Sequence, residues 1–293
     1  MRILSPAKIN LFLQITGKRP DGYHDLVSLM CCVGLYDTIS ITFGVKETSV
    51  SCCHPDVPED ETNLAAAAAL LFFNTLNIND GVKISIEKQI PVGAGLGGGS
   101  SNAAAVFLGL NRYYGYPFSP DKLISLGRSI GADVPFFIFR KPAIVSGIGD
   151  KLNAYQRLES FKILLVFPGF GISTARVYKN LNLGLTNCKK KLKSFLLNKQ
   201  SFDPGCHLCN DLEPTAASMH PGIFTAKEAL LKHGALGALM SGSGSTVFGL
   251  FSDSDTAFKA NRALAANDEW QLYLVDMITN ENVFERSHRD NFS

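Results

Sequence analysis

The sequence predicts an α+β protein of two domains, on three observations. β-rich and helix-like segments alternate through the first half; the pattern starts afresh at the run Phe161 to Phe167, apolar but for Lys162; the second half then mixes helices with short strands. At 293 residues and 46% hydrophobic content the chain can fill the cores of two ordinary domains, which we place at 1–155 and 156–293.

Lys8 to Ile15 and Asp37 to Phe43 are rich in β-formers and read as strands, and Thr62 to Leu76 has the composition of a helix. A strand at Val82 to Glu87 runs into a glycine-rich loop, after which Asn102 to Arg112 reads as a helix. A further helix, Asp121 to Ile130, starts beyond the turn-forming Pro117-Phe118-Ser119-Pro120. The run Phe161 to Phe167, closed by Pro168-Gly169, suits a buried strand. Helices follow at Pro221 to His233 and Asp253 to Ala266, with strands at Ser245 to Phe251 and Leu272 to Val275. The polar Asn280 to Ser293 is expected to fray.

Composition excludes several classes of partner. The 28 basic and 26 acidic side chains leave a charge of +2, too little to argue for nucleic acid or an anionic membrane. The local cluster Lys189 to Lys193 reads as a solvated helix face. No apolar stretch follows Met1 to Pro6 as a secretion signal requires, and the Ala-rich run Leu64 to Phe73 is about half the length of a membrane span. We therefore expect a cytoplasmic protein, monomer or homodimer. Its seven cysteines are expected to be free thiols, and Cys206-His207-Leu208-Cys209, half a zinc site without a second half, is not expected to hold metal.

The chemistry concentrates in the run Pro91 to Ser101. Five of the seven residues from Gly93 to Gly99 are glycine, so successive N–H groups can turn toward one centre and a bulky anion can approach the backbone. Ser100 or Ser101 can cap the following helix, or offer a hydroxyl to a phosphate or a metal ion. The bland alternative is a glycine hinge. Gly93, Gly95 and Gly98 fit the dinucleotide fingerprint, yet the loop lies far into the chain and lacks an acidic residue about 20 positions on. The Walker pattern fails too, because no lysine precedes the serine pair. Phosphate binding by another architecture remains.

Three further segments carry polar groups. Pro6-Ala7-Lys8-Ile9-Asn10-Leu11 puts Lys8 and Asn10 on one strand face; by spacing alone Lys8 is a solvated strand lysine, and in a cleft it would serve a phosphoryl group or a carboxylate. Asp133 lies among apolar neighbours in Gly131 to Phe137, where its charge needs a partner such as Lys8, though it reads equally as a cap. Ser241-Gly242-Ser243-Gly244-Ser245 suits close packing against the first loop or against phosphates, or is a plain turn. Gly22-Tyr23-His24-Asp25, in a turn-rich segment, either holds a base or merely packs.

Taken in order, Pro6 to Leu11, Pro91 to Ser101 and Met240 to Ser245 resemble the signatures of the galactokinase, homoserine kinase, mevalonate kinase and phosphomevalonate kinase (GHMP) superfamily. Lys8 to Leu13 followed by Gly17-Lys18-Arg19-Pro20-Asp21-Gly22-Tyr23-His24, with Gly131 to Pro135 and Asn210-Asp211-Leu212-Glu213, is similar to its 4-diphosphocytidyl-2-C-methyl-D-erythritol kinase subfamily. The resemblance covers about residues 5 to 251. It implies a first domain like domain 2 of ribosomal protein S5, a ferredoxin-like second domain, and a cleft between them. It also implies transfer of the γ-phosphoryl group of ATP, with Mg²⁺, to the 2-hydroxyl of the cytidylyl methylerythritol. On that resemblance Asp133 is the base and Lys8 the neutralising cation. Pro91, Gly93, Gly95, Leu96, Gly97, Gly98, Gly99, Ser100, Ser101, Ser241, Gly242 and Ser243 bind the phosphates of ATP, and Asn63, Leu64 and Lys88 lie near its adenosine. Tyr23 and Tyr178 sandwich the cytosine, His24 bonds its edge and Asn10 lies near the methylerythritol. Ser100 is the expected protein ligand of the metal.

Overall fold

A computed structural model describes residues 1–149, 151–181, 188 and 202–279. Strands β1 (Arg2–Lys18) and β2 (His24–Val45) form a long antiparallel hairpin whose turn uses Gly22 at φ +87°, in the left-handed region open to glycine. β2 is long enough to pair with β1 along its length, with β4 (Gly81–Glu87) near its end and with β5 (Ala143–Gly147) near its start. β3 (Ser49–Cys52) extends the edge beside β4, and β6 (Lys151–Ala154) pairs with β5.

Helices α1 (Leu64–Leu76), α2 (Gly98–Tyr113), α3 (Pro120–Ile130) and α4 (Val134–Phe139) supply the apolar residues that cover this sheet. Small side chains let α1 and α2 approach: Ala65, Ala66, Ala68 and Ala69 share a core with Ala103, Ala104 and Ala105. At Gly109 the approach of α2 to the sheet is closest, since a Cβ there would lie 2.6 Å from Ile3 Cδ1 and 2.9 Å from Ile41 Cδ1.

The second half builds on β7 (Lys162–Phe167), which pairs with β10 (Val247–Phe251) and β11 (Gln271–Ile278), with β9 (Gly237–Met240) beyond β10. Side-chain alternation explains why β7 is apolar throughout from Ile163 to Phe167. Ile163, Leu165 and Phe167 pack with Ile9, Leu11, Cys31 and Val33 of the hairpin, while Leu164 and Val166 pack with helices α7 (Glu213–Met219), α8 (Gly222–Lys232) and α9 (Ser254–Leu264). The hairpin is likewise two-sided, Met30 and Cys32 joining the helices of the first half. The expected division at 155/156 falls between β6 and β7. β11 crosses it by pairing Met277 with Val33 and Ile278 with Cys32. Two short helices, α5 (Thr174–Lys179) and α6 (Pro204–His207), and the two-residue β8 (Cys209–Asn210) complete the described elements. None of the described helices is long and apolar enough to cross a membrane.

Several expectations change. α2 starts at Gly98, inside the glycine run, so Ser100 and Ser101 sit in its first turn; its N-cap is Gly97, without a side-chain cap bond. The turn-rich segment ends at His24, where β2 begins. The expectation of free thiols fails for one pair, because Cys188 and Cys209 form a disulfide across 21 residues, while Cys31, Cys32, Cys52, Cys53 and Cys206 are in no disulfide. Compartment argues about ambient redox and not about proximity, and here β8 brings Cys209 against residue 188. Cys206 is exposed on α6, whereas Cys209, the other cysteine of the CxxC, is bonded to Cys188. Lys189 to Lys193 and the polar Asn280 to Ser293 lie outside the described residues.

Gly109→Val forces a branched side chain into the contact with Ile3 and Ile41. We expect a loss of about 1–3 kcal/mol, read as a lower urea midpoint at unchanged slope; an unaltered midpoint would show that this contact relaxes freely.

Candidate active site

A cavity of about 1210 Å³ opens where the glycine loop, the hairpin, α4, α5 and the 241–245 loop converge. The loop owes its path to backbone that only glycine adopts readily: Gly93, Gly95 and Gly97 have φ of +66°, +77° and +72°. α2 then presents its first N–H groups without an acidic residue in the first turn, an arrangement that attracts an anion. Ser100 faces the cavity, close to the turn before α4: a Cβ on Gly131 would be 3.6 Å from its hydroxyl. Ser101 turns the other way, buried, its hydroxyl 2.7 Å from that of Ser5. The Leu96 side chain is core, and its carbonyl accepts from the Lys8 N–H at 2.9 Å.

Lys8 is 4% exposed, so its position on the strand is a buried one and its ammonium needs acceptors. It donates to Asn10 Oδ1 at 2.6 Å and lies 3.5 Å from Asp133 Oδ2. Asn10 is held in turn by donating to Ser28 Oγ at 2.8 Å, and Ser28 donates to the Phe12 carbonyl beside a bulge in β1. Asp133 occupies the position before α4 but makes no capping bond, which leaves its carboxylate to the cavity and to Lys8.

The 241–245 loop closes the site from the second half. Ser241 donates to the Gly95 carbonyl at 3.0 Å, Thr246 N–H to the Ala94 carbonyl at 3.2 Å, and the Ser243 and Thr174 hydroxyls are 2.7 Å apart. Ser241 thus acts on the glycine loop, whereas Gly242 and Ser243 line the cavity. Asn210 donates to the carbonyls of Met240 and Gly242, and Glu213 accepts from Met240 N–H while paired with Lys227. The Asn210 to Glu213 motif is therefore a brace beneath the loop.

At the far end the His24 and Tyr178 rings lie 5.3 Å apart and tilted by 35°, and Tyr23 stands 65% exposed at the rim. Burial, then the Lys18 charge, lowers the His24 pKa from its ordinary value, so the imidazole is uncharged at neutral pH. Burial, reinforced by the Asp133 carboxylate, pushes the Tyr178 hydroxyl up to about 12. Asn63 and Leu64 also line the cavity; the Asn63 side chain caps α1 by accepting from Ala65 N–H at 2.9 Å. Lys88 lines it as well, 2.6 Å from the fully buried Asp37.

Sequence reasoning missed Asp37, Ser28, Asn102 and Thr174. A single acid in a strand of β-formers signals nothing until its partner, 51 residues on, is beside it. Among the described residues the group with spacing suited to a metal is Cys188, Cys209 and Asp211, whose sulfurs are bonded to each other.

Residues 63–141 match the family model for the GHMP kinases N terminal domain and residues 191–269 that for GHMP kinases C terminal. The chain is 44% identical over 272 residues to the 4-diphosphocytidyl-2-C-methyl-D-erythritol kinase of Geobacter sp. (strain M21), covering 92% of this chain and 96% of that one. It is 45% identical to the protein of the same name from Syntrophotalea carbinolica, covering 94% and 98%. A crystal structure of 4-(cytidine 5'-diphospho)-2C-methyl-D-erythritol kinase superposes with a TM-score of 0.78 at 32% identity over 94% of this chain and 99% of that one. Homoserine kinase from Cytophaga hutchinsonii, at 18% identity and a TM-score of 0.74 over 96% and 95%, shares the fold. With the cavity, its loops and these likenesses together, the chain belongs to the 4-diphosphocytidyl-2-C-methyl-D-erythritol kinase family of GHMP kinases.

Proposed function

We propose that the protein phosphorylates the 2-hydroxyl of 4-diphosphocytidyl-2-C-methyl-D-erythritol with ATP, giving the 2-phosphate and ADP in the non-mevalonate route to isoprenoids, and that it works in the cytoplasm as a monomer or homodimer. The observation that carries this reading is the Lys8–Asp133 pair, 3.5 Å apart at the mouth of an anion-ready helix. Asp133 takes the proton of the attacking hydroxyl as that oxygen bonds to the γ-phosphorus and the bond from phosphorus to the ADP oxygen breaks. Lys8, fixed by Asn10 and by its own N–H on Leu96, neutralises charge that spreads over the transferring group. The N–H groups at the start of α2 and the backbone of Gly242 and Ser243 cradle the phosphates.

The donor set fits Mg²⁺, a hard cation that takes oxygen ligands. The Ser100 hydroxyl and the Asp133 carboxylate both face the cavity near the Gly131 turn and would hold it. When bound it screens the charge of the phosphate chain. The acceptor's base lies against Tyr178 with Tyr23 folding over it, and the uncharged imidazole of His24 is free to donate and accept at the cytosine edge.

An ADP-release assay over a panel of acceptor alcohols, each with and without the cytidine diphosphate, tests the assignment; indifference to the cytidine group would point to another alcohol. Asp133→Asn should fold and bind acceptor yet lose at least ~10²-fold in turnover, and near-normal turnover would remove it from the base role. Tyr23→Ala should weaken the acceptor by about 1–3 kcal/mol, the scale of one base stack, with the KM for ATP unchanged; equal losses for both substrates would make Tyr23 structural. Because the His24 pKa is lowered, its uncharged form persists as pH falls past the ordinary value of 6.5. The acceptor KM should stay flat down to that pH and rise only below it, and His24→Gln should abolish that acid limb.

A further inference from the structure

Asn210 is 5% exposed and does not line the cavity, yet its side chain reaches the loop that closes it. Its Nδ2 donates at 2.8 Å to the carbonyls of both Met240 and Gly242, and its Oδ1 accepts from the Leu212 N–H at 2.9 Å. An amide nitrogen carries two donors, so both are spent on the loop. Asn210 is itself anchored to the strand that carries Lys8 and Asn10. β8 pairs with β1 at Leu13 and Asn210, and the Asp211 N–H donates to the Leu13 carbonyl at 3.0 Å. One side chain thus ties the 241–245 loop to β1.

The bond to Gly242 also fixes a direction. The Gly242–Ser243 peptide is trans and planar, so its carbonyl and its N–H point opposite ways. With the carbonyl drawn to Asn210, the Ser243 N–H is aimed away from Asn210, in a stretch where Gly242 and Ser243 line the cavity. That N–H makes no hydrogen bond among the described residues, although Ser243 is only 7% exposed. The Ser243 hydroxyl is already engaged with that of Thr174, which leaves the backbone donor as the group without an acceptor. The same peptide stands against Lys8: a Cβ on Gly242 would lie 3.0 Å from Lys8 Nζ and 3.4 Å from Asn10 Oδ1. An unpaired N–H beside a buried ammonium suits an oxygen of a phosphoryl group, which accepts from several such donors at once.

We propose that Asn210 is a positioning residue for phosphoryl transfer: by holding the Gly242 carbonyl it aims the Ser243 N–H at a phosphate oxygen of the nucleotide, next to Lys8. This rests on the nucleotide site assigned above, and it names one donor of that site and the side chain that orients it. Asn210 touches neither substrate. Without its amide both carbonyls lose a partner, and Gly242, at φ +55° and with no side chain to hold it, lets the peptide turn. A donor that is not aimed beforehand stabilises the developing charge less.

The test reads the Ser243 amide directly. Labelling serine with ¹⁵N and glycine with ¹³C at the carbonyl selects Gly–Ser peptides, of which the chain has three: Gly99–Ser100, Gly242–Ser243 and Gly244–Ser245. In the wild-type, full-length protein we expect the Ser243 amide signal to shift with ADP or ATP and to stay in place with adenosine. In Asn210→Ala that response is lost and kcat falls at least ~10-fold, less than the loss on removing such a donor outright. Adenosine affinity and the acceptor KM stay within about 2-fold of wild type, and Asn210→Ala adds no more than about 2-fold to the loss in Gly242→Ala, which disturbs the same peptide. Losses shared equally by adenosine and the acceptor would make Asn210 structural and overturn the proposal, as would effects of the two substitutions that simply multiply. The wild-type spectra decide even where a variant folds poorly. ADP that binds by calorimetry and leaves Ser243 unmoved overturns this inference alone, whereas wild-type protein that binds neither ADP nor ATP sinks the nucleotide site with it.

Discussion

Everything in the cavity depends on how closely the glycine loop approaches the 241–245 loop. A Cβ at Gly95 would collide with the Ser241 carbonyl oxygen and lie 3.0 Å from both N and O of Gly244, and the residue's φ of +77° already disfavours any other side chain. Across this contact run the bonds from Ser241 to the Gly95 carbonyl and from Thr246 N–H to the Ala94 carbonyl. Gly93 packs more loosely on Gly171, a Cβ there lying 3.4 Å from the Gly171 Cα, and accepts from Ile172 N–H at 3.0 Å. At this contact the halves of the molecule meet largely backbone on backbone, with the Ser241 hydroxyl the side chain that joins them.

Such a contact brings charges inward, and the structure answers each with a partner. Lys8 has Asn10 and Asp133; Lys88 has Asp37; Glu213 has Lys227 and the Met240 N–H. Removing one member of a buried pair typically costs about 3–5 kcal/mol, because the survivor is left without compensation. The two lysines differ in how tightly they are tied. Asp37 is saturated by four donors and can serve no ligand directly, whereas Asp133 is 36% exposed and keeps lone pairs for a substrate proton. Geometry therefore separates a carboxylate that only holds from one left open to the cavity.

Sequence made the local features legible and left the long-range ones unseen. Glycines at 93, 95 and 97 announced an unusual backbone because the residue type itself reports φ, and the apolar run at Phe161 announced a strand buried on both faces. The motif at Lys8 and Asn10 was visible as one face of a strand, but its burial was not, since that depends on β2 and on the loop from the second half. Composition placed the start of α2 too late, because glycine and serine are weak helix formers that packing overrode. Asp37 with Lys88, Ser28 behind Asn10, and Thr174 on Ser243 each join residues far apart in the chain, which no pattern of neighbours encodes. The serine pair shows the limit most directly: adjacent and alike in sequence, Ser100 faces the cavity and Ser101 faces Ser5.

The two ends of the cavity are built from different material, and this bears on how one fold can serve several acceptors. The end we assign to the nucleotide is built mainly from N–H groups, carbonyls and missing side chains, with Ser100 and Ser243 beside them, so its shape is set largely by chain path. The end we assign to the acceptor is lined by the side chains of Tyr23, just before β2, His24, its first residue, and Tyr178 on the six-residue α5. α5 is tied to the phosphate side by the bond between the Thr174 and Ser243 hydroxyls. Replacing a ring at the rim alters what is recognised without touching Gly95 or Lys8, while altering the loop contact disturbs transfer to every acceptor. On the function proposed above, selectivity can therefore drift just before and at the start of β2 and on α5 while the loop contact stays fixed by packing.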